Sequence, residues 1–277
     1  MQVVSTIAQV RAWRRSLQGP LGLVPTMGYL HEGHLSLVRR ARQENPHVAG
    51  SIFVNPTQFG PQEDLARYPR DLDRDRELLR DAGCALVFVP DAAGMYPPGH
   101  ETVVDVGSVA GPLEGTRRPG HFRGVATVVL KLFGIFAPDR AYFGQKDAQQ
   151  LAVIRRMVRD LDVPVEIVGC PTVREPDSLA MSSRNSYLGP EERGAAPVLY
   201  RSLLAAKVLW AKGDRDAEAL RQAMRDVLAQ ERLAEIDYVS VADPTSFREI
   251  DGPAVTALAL LAVRIGRARL IDNALLD

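Results

Sequence analysis

The first two-thirds of the chain alternates short apolar runs with longer amphipathic segments, and this alternation most constrains the fold. The apolar runs show little internal polar alternation, which is typical of strands covered on both faces of a sheet. Strands that alternate with helices of ten or more residues predict βαβ units and a parallel sheet. We predict strands at 21–25, 48–55, 85–90, 141–144 and 165–169, and helices at 34–44, 71–82, 124–136 and 148–160.

The pattern changes after about Pro176, where two helical stretches precede three apolar runs. We therefore predict an α/β chain with a Rossmann-like, doubly wound parallel-sheet domain at 1–176 and a smaller α+β domain at 177–277. The second domain is expected to act as a lid over a site on the first. Its helices are predicted at 191–211 and 216–230, and its strands at 237–241, 257–263 and 269–272.

Composition excludes several classes of function. The 277 residues carry 34 Lys plus Arg and 34 Asp plus Glu, so there is no basic field for nucleic acid or an anionic membrane. A signal-peptide pattern and an apolar run of membrane-spanning length are both missing, which predicts a cytoplasmic protein. Cys84 and Cys170 do not form a CxxC pair, and we expect two buried, reduced thiols.

A cluster of polar residues and glycines follows the first predicted strand, in the segment Pro-Thr-Met-Gly-Tyr-Leu-His-Glu-Gly-His at 25–34. Gly28 and Gly33 allow the backbone to approach a ligand closely. The amino terminus of the following helix suits a phosphate. His31 and His34 are three residues apart, so they share a helical face and can both donate hydrogen bonds to that phosphate.

Two other interpretations of these histidines stay open. Each imidazole can simply satisfy backbone groups at the start of a helix. A zinc site is the second alternative, but His-x-x-His supplies only two ligands, and the spacing differs from that of the HExxH helix.

Side chains suited to a carboxylate occur in two later segments. Gln58 lies in Ser-Ile-Phe-Val-Asn-Pro-Thr-Gln-Phe at 51–59, where its amide can donate and accept at once, unless it is only a turn residue. Arg123 and His121 lie in Gly-His-Phe-Arg-Gly-Val-Ala-Thr-Val-Val at 120–129. An arginine there can bind a carboxylate or phosphate through two hydrogen bonds, unless it is a solvated residue at a helix start.

Groups suited to phosphate occur in two further segments, 139–151 and 171–185. In the first, Gly144 permits close backbone approach, Lys146 is a compact cation, and Asp147 can hold a ribose hydroxyl or Mg²⁺. The second segment ends in two hydroxyls and a guanidinium, which make an anion clamp unless they form an ordinary polar loop. The residues of this clamp are Ser182, Ser183 and Arg184.

The His-x-Gly-His string after a first strand is similar to the signature of the nucleotidylyltransferase superfamily. The longer string Pro-Thr-Met-Gly-x-Leu-His-x-Gly-His resembles the pantothenate synthetase family, whose other motifs follow in the same order. Together the five motifs cover roughly residues 20–190, and five in order are far more specific than any one of them.

The resemblance implies a reaction in two steps. The pantoate carboxylate attacks the α-phosphorus of ATP, pyrophosphate leaves with Mg²⁺, and the amine of β-alanine then attacks the resulting pantoyl-adenylate and releases AMP. His34 would be the main donor to the phosphates, and His31 and Lys146 would share their charge. The resemblance also implies a homodimer, and Mg²⁺ held mainly by the ATP phosphates rather than by the protein.

The resemblance further assigns binding residues. Pantoate and β-alanine would be bound by Gln58, Gln150 and Arg123. ATP would be bound by Met27, Gly28, His31, His34, Gly144, Lys146, Asp147, Val173, Met181, Ser182, Ser183 and Arg184.

Two positions depart from the family pattern. Gln145 stands where the family has a glutamate, and Ser178 stands where it has a glycine. We therefore expect a backbone without positive φ at Ser178. The acidic residues Asp71, Asp73 and Asp75 are expected to lie on a solvated helix face rather than to bind metal.

Three alternative functions compete with the ligase. A different nucleotidylyltransferase would share His31 and His34 without using pantoate. A silent nucleotide-binding module would bind ATP without releasing pyrophosphate. An RNA-acting synthetase fits the superfamily signature, but the neutral charge disfavours it.

Overall fold

The computed structural model describes residues 1–61 and 63–277 and divides into two compact units. The first unit comprises Met1–Gln145 and Gln149–Pro171, and the second comprises Lys146–Ala148 and Thr172–Asp277. Lys146 thus groups with the second unit, although it directly follows a predicted strand of the first. The role of the second domain as a lid stays a prediction.

The first unit is built around a six-stranded parallel sheet. Its elements are β1 (Gln2–Val4), α1 (Ile7–Ser16), β2 (Leu21–Thr26), α2 (Glu32–Glu44), β3 (His47–Ile52), α3 (Leu72–Asp81), β4 (Leu86–Phe88), α4 (Ala92–Met95), α5 (Glu114–Arg117), α6 (His121–Phe136), β5 (Arg140–Gly144), α7 (Ala148–Asp160) and β6 (Glu166–Cys170). The strand order in the sheet is β1-β4-β3-β2-β5-β6, which confirms the predicted Rossmann-like fold.

Burial on both faces explains why β2 and β3 show no regular alternation of polar and apolar residues. Leu23 and Val24 are adjacent in β2 and point to opposite faces, and both are fully buried. β2 pairs in register with β3 from Leu21↔His47 to Thr26↔Ile52. The carboxyl ends of these parallel strands therefore meet at one edge of the sheet, where ligands bind in folds of this class.

Several element boundaries differ from the predictions. β1 and α1 were not predicted, because neither has a long apolar run. The strand expected at 48–55 ends at Ile52, and a 3-10 turn follows at Pro56–Gln58. Helix α6 begins at His121 rather than at residue 124, which places Arg123 in its first turn.

The second unit contains a three-stranded antiparallel sheet of β7 (Ala234–Ala242), β8 (Ala257–Ile265) and β9 (Ala268–Leu276), in that order, which confirms the predicted α+β character. The prediction of a single helix at 191–211 was wrong. The segment forms two helices, because Pro197 cannot donate a backbone hydrogen bond within a continuous helix. The helices of the unit are α8 (Pro190–Ala195), α9 (Val198–Ala211) and α10 (Ala217–Leu228).

A tight hairpin spans residues 173–181 in the second unit. The N–H of Ser178 donates to the carbonyl of Glu175, and the N–H of Glu175 donates to the carbonyl of Leu179. The expected absence of positive φ at Ser178 was wrong, since its φ is 73°. A turn with Pro176 at its second position, followed by a left-handed residue, requires this conformation whether or not glycine occupies the site.

Both cysteines are buried and unpaired, as predicted. Burial raises the pKa of the Cys84 thiol to about 12. In the described ranges, every helix is too short or too polar to cross a bilayer.

Replacing Ser178 with glycine should stabilise the protein. Relief of the left-handed strain is worth roughly 1–2 kcal/mol, and the larger unfolded-state entropy of glycine offsets about half of it. We expect Ser178→Gly to raise the free energy of unfolding by about 0.5–1 kcal/mol in urea titrations. Ser178→Val should lower it, because a β-branched residue strongly disfavours positive φ. The reverse ranking would contradict this account of the turn.

Candidate active site

A buried carboxylate holds the loop that connects β2 to α2. Asp75 accepts hydrogen bonds from the backbone N–H groups of Tyr29 and Leu30, each at 2.7 Å. Burial raises the pKa of Asp75, and these two bonds oppose the rise. Gly28 has a φ of 84°, and a Cβ there would lie 2.9 Å from Ile52 and 3.0 Å from the Asp75 carboxylate. The loop therefore requires glycine at position 28.

The acidic run of α3 does not form a solvated face throughout. Asp73 is exposed, and Asp71 caps the helix by accepting from the N–H of Arg74. The prediction was wrong for Asp75, which is 1% exposed. A sequence signal was present, because Asp75 lies four residues before the buried Leu79 and hence on the apolar face of the helix.

His31 and His34 cap the amino terminus of α2 reciprocally. His31 Nδ1 accepts from the N–H of Gly33 at 3.2 Å, and His34 Nδ1 accepts from the N–H of His31 at 3.4 Å. The ring centroids are 4.1 Å apart. Since Nδ1 is the acceptor on both rings, each neutral imidazole carries its proton on Nε2. The structural role and the phosphate-donor role therefore use different nitrogens, and the two interpretations of this motif are compatible.

The turn after β3 brings Gln58 to Met27. Gln58 is 8% exposed, and its amide N–H₂ lies 3.2 Å from the Met27 sulfur. Asn55 orients this amide by donating from Nδ2 to Gln58 Oε1 at 3.0 Å and to the carbonyl of Gly124 at 3.2 Å. Sequence analysis missed Asn55, because an asparagine before a proline at a strand end is also typical of a plain turn.

His121 fixes the backbone of the same turn. Its Nε2 lies 3.0 Å from an Arg118 guanidinium nitrogen, which can only donate. Nδ1 therefore carries the proton and donates to the carbonyl of Gln58 at 2.9 Å. Burial, together with the neighbouring Arg118 charge, lowers the pKa of His121 to about 4. Arg118 is held in turn by Glu63, at 2.6 and 3.0 Å.

The remaining first-unit candidates are less tightly fixed. Arg123 is exposed in the first turn of α6, and within the described residues its side chain makes no hydrogen bond to the Gln58 turn. Gln150 is half-buried near the start of α7, next to the buried Gln149. A Cβ at Gly144 would meet no described atom within 4 Å other than those of its own residue and its two chain neighbours.

The other candidates lie in the second unit. Lys146 and Asp147 share a 3-10 turn, with 3.7 Å between the ammonium nitrogen and the carboxylate. The hairpin at 173–181 leads directly into the predicted anion clamp. Its strands are joined by a hydrogen bond from the N–H of Met181 to the carbonyl of Val173 at 3.0 Å.

Within the clamp, Ser182 Oγ accepts from the N–H of Arg184 at 3.3 Å, and Ser183 is buried. The unit thus presents an ammonium and a guanidinium together with hydroxyl groups, a set that suits a polyanion. Over residues 1–61 and 63–277, no three His, Cys, Asp or Glu side chains are grouped as ligands of a metal ion.

The amino-acid sequence matches the pantoate-beta-alanine ligase family over residues 2–275. The chain belongs to this family. Pantothenate synthetases of Roseiflexus sp. (strain RS-1) and Acetivibrio thermocellus are 65% and 52% identical to it, and both alignments cover all of this chain and all of the relative.

Solved structures of the family show the same fold. Pantothenate synthetase from Thermus thermophilus has a TM-score of 0.94 at 52% identity, covering 99% of both chains. Pantoate-beta-alanine ligase from Francisella tularensis, complexed with beta-gamma ATP and beta-alanine, has a TM-score of 0.82 at 35% identity, covering 99% of this chain and 97% of that one.

Gly124 is expected to be required for the Gln58 turn. A Cβ at position 124 would lie 2.4 Å from the carbonyl oxygen of Thr57. Relieving this clash requires a shift of the Thr57 backbone, which costs more free energy than the rotation of a side chain. Gly124→Ala should therefore destabilise the protein by about 1–3 kcal/mol and raise the KM for the carboxylic acid substrate on the order of tenfold.

Gly134 is the matched control for Gly124 in the same helix, since its Cβ position is open and the residue is exposed. Gly134→Ala should stabilise the helix by roughly 0.5–1 kcal/mol without changing KM. Equal behaviour of the two variants in thermal denaturation and steady-state assays would contradict the proposed packing.

His121 should make stability fall in mild acid. Its folded pKa of about 4 lies below the unfolded value of 6.5, so the unfolded state binds more protons between these values. Stability is full above pH 6.5 and is lost as the pH falls towards 4, by about 3 kcal/mol in total. His121→Asn keeps an N–H donor for Gln58 and should flatten this part of the profile. Identical pH profiles in urea titrations would refute the assignment.

Proposed function

We propose that this chain joins pantoate to β-alanine with ATP, through a pantoyl-adenylate intermediate. The observation that carries the proposal is the pair of histidines at the start of α2. Their Nδ1 atoms accept from backbone N–H groups, which places the proton of each neutral ring on Nε2, and we assign that N–H to a phosphate oxygen. Family membership and the beta-gamma ATP and beta-alanine complex of the Francisella relative support the choice of substrates.

A carboxylate is a poor electrophile, so amide formation requires an activated acid. In the first step a pantoate carboxylate oxygen attacks the α-phosphorus of ATP, and the bond to the β-phosphate breaks to release pyrophosphate. In the second step the β-alanine nitrogen attacks the acyl carbon, loses a proton, and AMP leaves with the former carboxylate oxygen. The protein supplies positioning and charge stabilisation rather than a covalent nucleophile.

We assign the phosphate-directed roles to His34, His31 and Lys146. The two imidazoles donate from Nε2 at a helix amino terminus, where negative charge is favoured. Lys146 is a compact cation, and the anion clamp adds a guanidinium and hydroxyl donors. Magnesium enters with ATP, bound to its phosphates.

We assign acid recognition to Gln58 and Gln150, with Arg123 as an additional candidate. The Gln58 amide is oriented by Asn55, and its backbone is fixed by His121. A preorganised amide of this kind can donate to a carboxylate and accept from a hydroxyl at once. The cytoplasmic location and the homodimer implied by the family resemblance remain predictions.

Pyrophosphate release tests the reaction. With MgATP and pantoate but no β-alanine, we expect a burst that depends on pantoate. Added β-alanine should then give steady production of AMP. Pyrophosphate release that does not depend on pantoate would favour another nucleotidylyltransferase, and ATP binding without pyrophosphate release would favour a silent binding module.

His34→Ala and Lys146→Ala should each lower kcat by about 10²–10³, because each removes a preorganised donor to developing phosphate charge. His47→Ala and Lys207→Ala serve as controls that change the same residue types elsewhere in the chain and should retain activity. Circular dichroism should show an intact fold in all four variants. Near-normal turnover of either site variant would remove that residue from the mechanism.

A further inference from the structure

Two adjacent residues of β9, Asp272 and Asn273, each contact a segment that carries phosphate-directed groups. Consecutive side chains of a strand point to opposite faces, so the two residues reach different partners. Both partners belong to the second unit. The sequence after residue 190 carried no assigned functional residue, and these contacts are visible only in the folded chain.

Asp272 anchors the hairpin at 173–181 through Arg174. The guanidinium donates two hydrogen bonds to the carboxylate, at 2.6 and 2.9 Å, and a third to the carbonyl of Ser178 at 3.0 Å. It also lies over the ring of Tyr200, 4.2 Å from the centroid. Asp272 is 3% exposed, so this planar, two-bond pair is shielded from water and geometrically specific.

The hairpin connects the Asp272–Arg174 pair to the anion clamp. Arg174 and Ala180 form a bridge between its two strands, and Ser182 follows two residues later. The side chain of Asn185 donates to the carbonyl of Ala180 at 3.1 Å, which ties the turn that contains the clamp back to the hairpin. Displacement of Arg174 therefore displaces the clamp.

Asn273 contacts the lysine segment directly. Its Nδ2 donates to the backbone carbonyl of Lys146 at 2.8 Å. This bond fixes the backbone from which the lysine side chain extends. Two neighbouring residues of one rigid strand thus set the position of the ammonium relative to the clamp.

We propose that Asp272 and Asn273 are positioning residues that align Lys146 and the Ser182–Arg184 clamp on the triphosphate of ATP. The proposal rests on the proposed function, which assigns those groups to phosphate. Alignment matters because a displacement of about 1 Å can cost up to 10²-fold in rate.

Three variants test the alignment. Asn273→Ala removes the donor to Lys146, and Asp272→Asn weakens the anchor of the hairpin. Asp237→Asn is the matched control, since Asp237 is also an acidic residue paired with an arginine of the same sheet, with its Oδ2 2.9 Å from Nε and 2.8 Å from Nη2 of Arg269.

The expected results separate the two anchors. Asn273→Ala should weaken ATP binding and lower kcat by about tenfold or more, and should leave adenosine binding unchanged because adenosine has no phosphates. Asp272→Asn should weaken binding of both ligands, since the hairpin also carries Val173 on the proposed adenine side. Asp237→Asn should stay within about twofold of wild type on every measure. Calorimetric titration with ATP and with adenosine measures these affinities.

A double-mutant cycle distinguishes positioning from general stability. If Asn273 acts through Lys146, Asn273→Ala should have no further effect on kcat in the Lys146→Ala background. Additive losses of kcat in the double variant would overturn the proposal. It would also be overturned if the wild-type protein is active and Asn273→Ala has the same kcat and ATP affinity as Asp237→Asn. An inactive wild type, without pantoate-dependent pyrophosphate release, would instead refute the proposed function. The test with Asn273→Ala can be carried out even if Asp272→Asn fails to fold, because Asn273→Ala removes only a half-buried neutral amide.

Discussion

The unsatisfied backbone N–H groups around the start of α2 are the constraint on which the first-unit site depends. Helix starts leave such donors without partners, and a buried loop must provide acceptors for them. Here His31 and His34 accept two of them, and Asp75 accepts two more from the loop just before. The acceptors that complete the fold also set the orientation of both imidazoles, so the same hydrogen bonds position the rings that we propose as donors to phosphate.

In the Gln58 turn, neutral side chains likewise satisfy backbone groups and orient a candidate site residue. Asn55 orients the amide, and His121 holds the backbone carbonyl with a proton whose position Arg118 dictates. Keeping His121 uncharged avoids burying a second cation beside Arg118. An amide supported in this way has little conformational freedom left to lose, which is the preorganisation that the proposed binding of the acid by Gln58 requires.

In the second unit, the candidate phosphate-binding groups are held in place by a strand rather than by a loop. β9 is the edge strand of a short sheet, yet Asp272 is buried and paired and Asn273 reaches the backbone of Lys146. An edge strand held by a full ladder to β8 is a rigid reference for two segments that are far apart in sequence. The positive φ of Ser178 belongs to the same arrangement, because its carbonyl accepts from Arg174.

Sequence alone determined the parallel sheet, the smaller α+β unit and the motif that marks His31 and His34 as candidate site residues. These features depend on local periodicity and on residues that are close in the chain. Sequence analysis missed the break at Pro197, the burial of Asp75, the backbone of Ser178 and the contacts of Asn273. The contacts of Asp75 and Asn273 join residues 45 and 127 positions apart. Only the folded chain decides such contacts, because the pairing of a polar group depends on which distant backbone atoms need a partner.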